Sequence, residues 1–495
     1  MKTGFGVRTE GRYQVMDEFL DKITGAARAA GIDIYLVGGA VRDLLLGRRS
    51  SDLDFLVAGD PLAFARKAAG ELGGSFIPLD EGNGVARVAV KQDSLLYTFD
   101  FTGLAGGQVE ENLLKRDFTI NAMALPVTAA LKGGRAAAGD IIDPTGGLQD
   151  LKGKTVKMVY PGAFRDDPLR MLRALRLKAC LGMALDDGTR AAIGKAAALL
   201  REVAPERVRD EFFRILKVDR AYDTVKEMDD LGLLREIIPF RDEMAATDQN
   251  GYHADNVWEH CLNALRELER LDLYELGGDY AGELQGLLAE ELTPGRSRWQ
   301  LMKFCVLIHD SGKPVTRGLS KTGRITFYGH ERAGARRAGE LARRLTLSNR
   351  ETFFVRDMVL HHMRPLQLST VTGDKGAAVR RFFRKSRGEG VSLLVHALAD
   401  QLSDRGPLKK EADLERFGVM VRSLLRQYWQ EEGLRLYRPV LTGQDLIREL
   451  QVNPGPELGQ VLRRLEAEHL ARGAMTRAEA LDYCRELLKK KPLPG

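Results

Sequence analysis

Two short apolar runs, IYLVGG at 34–39 and DLDFLV at 52–57, enclose a stretch of helical spacing, and this arrangement constrains the fold more than any other feature of the chain. Apolar runs of that length bounded by turn residues read as strands. In the second run Asp52 and Asp54 lie two apart, so on a strand both carboxylates leave the same face. The first run ends on Gly38 and Gly39, ahead of a helix expected from about Val41. Glycines there let backbone N–H groups approach a phosphate, and a helix N-terminus favours negative charge. Arg42 adds a cation in the first turn; no GK[ST] follows, which excludes a Walker A loop. A lone DxD is a common surface pattern, so it is the combination with the glycine turn that points to a site.

Further strands are expected at VARVAV (85–90) and LLYTFDF (95–101), and helices over 15–31 and 61–73. The mixture reads as an α+β head over residues 1–160. Residues 161–225 read as a helical neck, with twelve Lys/Arg against eight Asp/Glu in 161–217. Long helices carry nearly all the histidines over 226–420, and a C-terminal helical segment, 421–495, is interrupted at NPGPELG (453–459) by Pro454 and Pro456. At 495 residues the chain has room for such a division. Its formal charge of +6 and pI near 9.0 permit a polyanionic partner without demanding one. Four dispersed cysteines without a CxxC argue against a disulfide or zinc framework. With no long apolar run, the expectation is a cytoplasmic protein without a membrane span.

Paired carboxylates on one rigid face can hold two Mg²⁺ ions, which take oxygen ligands and keep positions open for phosphate. Asp100, in the YTFDF strand, is placed to serve as a third carboxylate. The order of short motifs resembles the class II tRNA nucleotidyltransferases and the bacterial poly(A) polymerases related to them. GGAVRD (38–43) and DLD (52–54) are followed by KRDFTINAMA (115–124), DPTGGLQDL (143–151), DDPLRMLR (166–173) and ERVRDE (206–211). The resemblance implies a nucleotidyltransferase head and helical neck, Asp52 and Asp54 as metal ligands, and Arg42 and Arg116 near the triphosphate of CTP or ATP. It also implies tRNA as the partner.

On a continuous helix over 164–179, Asp167 and Arg170 would share a face, with Arg173 a turn further on. Such a pair is ordinarily a helical salt bridge; the resemblance turns it into a base-reading edge, acceptor and donor side by side. Asp166 departs from the family, which has Glu there. The stretch FTGLAGGQVEENLL (101–114) is short and has no Lys or Arg, where enzymes that add all of CCA carry a longer basic loop. That resembles the partial enzymes that add only CC. A poly(A) polymerase of the same fold remains open, as does a phosphohydrolase whose head merely binds RNA, although the Asp52/Asp54 pair speaks against the latter.

The second half carries His260, the tandem His309-Asp310, His330, the pair His361-His362 and Asp400. Imidazoles and carboxylates on separate helices can surround one or two transition metals, with Asp310 bridging. The order resembles the HD-superfamily phosphohydrolases, which implies a divalent Ni, Mn or Co ion and hydrolysis of a phosphate ester. His260, His309, Asp310, His330, His361 and Asp400 are the expected ligands. Lys313 and Arg364 flank them, and His253 and His396 are expected to be structural.

Overall fold

The computed structural model describes residues 9–48, 50–92, 95–104, 107–130, 138–249, 254–404, 406–431, 441–472 and 475–489. The chain divides into two compact units, Met1–Ile237 and Ile238–Gly495.

Unit 1 is built on a six-stranded mixed sheet. Its strands are β1 (Ile34–Val37), β2 (Asp52–Val57), β3 (Ser75–Asp80), β4 (Val85–Gln92), β5 (Leu95–Gly103) and β6 (Ala124–Pro126), in the order β3-β4-β5-β2-β1-β6. Only β2 and β5 run parallel. Among the helices that accompany it are α1 (Thr9–Ala30), α2 (Gly39–Leu45) and α3 (Pro61–Leu72). Asp60 caps α3 by accepting from the Leu62 and Ala63 amides, with Pro61 at the first helical position. Phe64 of α3 meets Phe101 edge-on, Phe55 stacks on Phe101 at 5.2 Å, and Phe19 of α1 packs against Tyr97 and Phe99. These rings fix β2 and β5 as the rigid centre of the sheet.

Four strands fall where expected, whereas β3 and β6 go unforeseen. They form the two edges of the sheet. Pro78 lies within β3, a residue tolerated only where a strand needs no second partner. Beyond the sheet come α4 (Ala163–Asp166), α5 (Arg170–Leu181) and α6 (Pro205–Leu216). The expected continuous helix over 164–179 is therefore broken. Asp167 has extended backbone, φ −147 and ψ 100, because Pro168 disfavours helical geometry in the residue before it.

Unit 2 is helical: α7 (Val257–Arg270), α8 (Arg298–Ile308), α9 (His330–Arg344), α10 (Asn349–His361), α11 (Gly390–Ser403) and α12 (Glu411–Gln430) are its main elements. Gly312 is required where α9 begins, since a Cβ there would lie 2.0 Å from the His330 carbonyl oxygen. The last helices, Gly443–Leu450, Pro456–Arg472 and Arg477–Lys489, close a hydrophobic cluster of their own around Leu446, Val461 and Cys484. Among the described residues no helix is long and apolar enough to cross a membrane.

Candidate active sites

Strand register assembles the carboxylates of unit 1. Val37 pairs with Asp54, Asp54 lies beside Asp100, and Asp100 faces Arg87, in one row across β1, β2, β5 and β4. Asp52 sits at the start of β2 and accepts from the Thr98 hydroxyl. Burial pushes the Asp54 carboxyl upward; Asp52 and Asp100 add to the shift, while Arg116 and Arg173 oppose it. Asp52, Asp54 and Asp100 bring three carboxylates to the adjacent strands β2 and β5, a donor type that suits a divalent cation.

The turn after β1 closes over this row. Gly38 has φ +75, and a Cβ there would lie 2.6 Å from Arg116 Nη1 and 3.2 Å from Asp54 Oδ2. Only glycine lets the chain pass so close to both. Burial lowers the Arg116 guanidinium, and the charges of Asp54 and Asp117 oppose that shift. Arg42 is buried and engaged: Nη1 donates to Asn121 Oδ1 at 2.7 Å, and Nε and Nη2 donate to Asp43. Asn121 in turn donates to Asp117, which pairs with Arg173 at 2.7 Å. Arg42 thus ties the glycine turn to the KRDFTINA segment and, through it, to α5.

The Arg170 amide donates to the Asp167 carbonyl at 3.0 Å, but the two side chains take other partners. Arg207 of α6 donates to Asp167 Oδ2 at 3.1 Å, whereas Arg170 Nη1 donates to the Tyr160 hydroxyl at 2.9 Å. Tyr160 itself donates to Asp166 Oδ2 at 2.5 Å. The shorter Asp166 therefore reaches Arg170 through a hydroxyl. Sequence reasoning missed Tyr160 and Arg207. Arg207 lay in plain view inside ERVRDE; Tyr160, outside the quoted motifs, gave no signal.

In unit 2 three imidazoles share one orientation. His309, His330 and His362 each direct Nδ1 to the carbonyl three residues earlier, at 2.9, 2.9 and 2.7 Å from Val306, Phe327 and Val359 oxygens. A donor bond there fixes the Nδ1–H tautomer and leaves Nε2 as the free lone pair. Those Nε2 atoms converge on Asp310. Oδ2 of Asp310 lies 3.3 Å from His309 and 3.7 Å from His260, and Oδ1 lies 3.5 Å from His330 and 3.8 Å from His362. Asp400 joins the first half, 2.9 Å from His260 Nε2 and 3.2 Å from His309 Nε2. The donors fall into the sets His260/His309/Asp400 and Asp310/His330/His362, whose atoms lie close enough to hold a metal. Lys313 donates to Asp310 at 2.5 Å and to Gln249 at 2.6 Å.

One expected ligand is corrected. His361 ends α10 outside the cluster, and burial beside Arg364 lowers its imidazole to about 4. His362, the residue that caps that helix, turns inward instead and is fully buried. His396, also buried, lies edge-on to His309 at 5.1 Å, and neither ring nitrogen has a hydrogen-bond partner among the described residues. His253 lies outside the described residues. Cys261 Sγ is 3.6 Å from His309 Nδ1 and forms a third possible donor group with His309 and Asp310; burial raises its thiol, while His309 opposes that shift.

A mixed sheet bearing paired strand carboxylates under a glycine turn, followed by an arginine-rich helical neck, defines a nucleotidyltransferase. Residues 34–157 match the poly A polymerase head domain, and 182–244 match the family described as the probable RNA and SrmB-binding site of polymerase A. An A-adding tRNA nucleotidyltransferase of Deinococcus radiodurans is 34% identical over 92% of this chain and 96% of its own length. A CC-adding tRNA nucleotidyltransferase of Thermus thermophilus is 34% identical over 88% of each. Among solved structures, a CCA-adding enzyme with ATP superposes with a TM-score of 0.60 at 19% identity, covering 99% of this chain and 97% of the other. The chain belongs to the tRNA nucleotidyltransferase and poly(A) polymerase family.

Proposed function

We propose that the protein adds CMP from CTP to the 3′ end of tRNA, stopping at CC. The observation that carries the chemistry is the row Asp54–Asp100 with Asp52 beneath the Gly38 turn. Mg²⁺ held by Asp52 and Asp54 would activate the 3′ hydroxyl and stabilise the departing pyrophosphate. Around it, Arg116 faces the triphosphate, and Arg42 holds the glycine turn. Asp167 accepts from the cytosine amino group, Arg170 donates to its acceptor atoms, and Arg173 steadies the segment through Asp117. The CC-only subtype is supported by the absence of Lys and Arg from 101–114. The test is incubation of tRNA ending at the discriminator base, and of tRNA ending in CC, with each labelled nucleotide separately. Two CMP additions and no AMP addition on the CC-ended tRNA are expected. The similarity to the Deinococcus enzyme favours a second reading, A-addition, which would give the opposite pattern. Long A-tails on unrelated RNA would instead make it a poly(A) polymerase with ATP as sole substrate.

For unit 2 the proposed activity is hydrolysis of a phosphate ester with a divalent transition metal, Ni, Mn or Co. The converging Nε2 atoms and the divided carboxylate of Asp310 support the fit. A cavity of about 1450 Å³ opens over Asp310, His330, His362 and Asp400, with Lys313, Arg324 and Lys375 on its walls. Hydrolysis of a 2′,3′-cyclic phosphate by purified protein with each metal, alongside the metal content of the protein as isolated, tests this. Absence of both metal and hydrolysis would leave unit 2 a scaffold.

A further inference from the structure

One guanidinium outside the family motifs faces the carboxylate row. Arg87 stands opposite Asp100 in the β4–β5 register. Its Nε and Nη2 donate to Asp100 Oδ1 and Oδ2, each at 2.7 Å. Such a fork meets both oxygens at once, fixes the plane of the carboxylate and leaves an outer lone pair on each oxygen for another ligand. A single strand carboxylate without that fork rotates about its last torsion, which is broad. Asp100 lies beside Asp54, so its plane decides whether the row can close on a cation. The negative charges of Asp52 and Asp54 also bear on Arg87, which places it within the field of the site although it belongs to no motif.

We propose that Arg87 is a positioning residue for nucleotidyl transfer, holding the Asp100 carboxylate in the plane it needs beside Asp54 and acting through Asp100 alone. The proposal rests on Asp100 serving as the third carboxylate. An ordinary cross-strand ion pair would affect stability and nothing else; a direct contact to the triphosphate would affect the KM for CTP.

The test uses the full chain with Arg87→Ala, Arg87→Lys, Asp100→Ala and the Arg87→Ala/Asp100→Ala double variant. The readouts are kcat, the KM for CTP, the Mg²⁺ concentration giving half-maximal rate, and the melting temperature. Loss of the fork that fixes the carboxylate plane predicts a kcat about tenfold lower in Arg87→Ala. The Mg²⁺ midpoint should rise several-fold, while the KM for CTP stays within about threefold. Arg87→Lys should not restore the rate, because one ammonium cannot meet both oxygens. In the Asp100→Ala background Arg87→Ala should add nothing. Additive losses in the double variant, a change confined to KM, or an unaltered kcat and Mg²⁺ midpoint would each overturn the proposal. A wild-type rate in Asp100→Ala would instead remove the reading of Asp100 itself. Should Arg87→Ala melt below the assay temperature, Arg87→Gln, which keeps most of the stem, gives the same comparison.

Discussion

Gly38→Ala adds one methyl at the point where the glycine turn meets the carboxylates. Two costs arise there. The first is conformational: φ +75 with ψ −140 is a region that L-residues rarely occupy, and holding one there costs on the order of 1–3 kcal/mol. For a unit of this size that lowers its melting temperature by roughly 2–4 °C for each kcal/mol. The second is a collision. The new Cβ would lie 2.6 Å from Arg116 Nη1 and 3.2 Å from Asp54 Oδ2, so the guanidinium must retreat by roughly an ångström, a displacement that can cost about 100-fold in rate. Gly39→Ala is the control: its φ is ordinary and its Cβ would meet Arg42 Nη2 at 3.4 Å, an ordinary contact. CMP incorporation at saturating and limiting CTP, with calorimetry on the same samples, measures both effects. Gly38→Ala should lose most of kcat/KM with a modest drop in melting temperature, and Gly39→Ala should lose far less. Equal behaviour of the two variants, or a Gly38→Ala enzyme within twofold of wild type, would refute the argument.

Asp52→Ala and Asp54→Ala should each abolish nucleotide addition and leave the fold and any hydrolysis by unit 2 intact, as a labelled-CTP assay and a phosphoesterase assay would show; a few per cent of residual addition contradicts the ligand assignment. Asp167→Ala should relax discrimination against UTP and GTP, because a wrong base no longer leaves a buried group unpaired at about 1–3 kcal/mol; unchanged nucleotide selectivity in competition assays counts against it. His362→Ala should empty the protein of bound metal and end hydrolysis while His361→Ala does neither, measured by elemental analysis; the reverse order would return His361 to the site. Glu351 is buried, which raises its carboxyl, but bonds from Arg296, Thr293 and Ser348 prevail and hold it at about 2, against an ordinary 4.5. Its folded value is depressed, so its stabilisation is present above about 4.5 and is lost as the pH falls toward about 2; Glu351→Gln should flatten the melting temperature of unit 2 across that window.

Much of the head was legible because its signals are local. DLDFLV is β2 from end to end, and a period of two put Asp52 and Asp54 on one face without knowledge of the neighbours. Asp100 was legible as a candidate only by its strand; that it stands beside Asp54 depends on a parallel pairing whose partners are more than forty residues apart. Edge strands β3 and β6 escaped because an edge needs neither the apolar alternation nor the β-branched content of a central strand. The helix over 164–179 was misread for a different reason. Its apolar spacing continues through Pro168, but the proline breaks the backbone one residue earlier and leaves Asp167 extended. His361 and His362 could not be ranked from composition. The choice was made by which ring could send Nδ1 to a carbonyl three residues back while Nε2 faced Asp310, and only the end of α10 decides that.

The break before Pro168 also bears on how a base would be read. Side by side on one helix, Asp167 and Arg170 would satisfy each other, and a nucleotide would have to separate a formed ion pair before bonding to either. In this chain each is tethered to a third residue: Asp167 to Arg207 on α6, and Arg170 to Asp166 through the Tyr160 hydroxyl. Acceptor and donor are thus oriented separately, each with hydrogen-bonding capacity left over. A cytosine-reading edge built this way would be held by two independent contacts. Moving it to fit adenine means shifting both together, since a base that meets only one of them leaves the other unpaired. The stretch at 101–114, acidic at Glu110 and Glu111, holds no cation that would compete for Asp167 and draw such an edge to a second position.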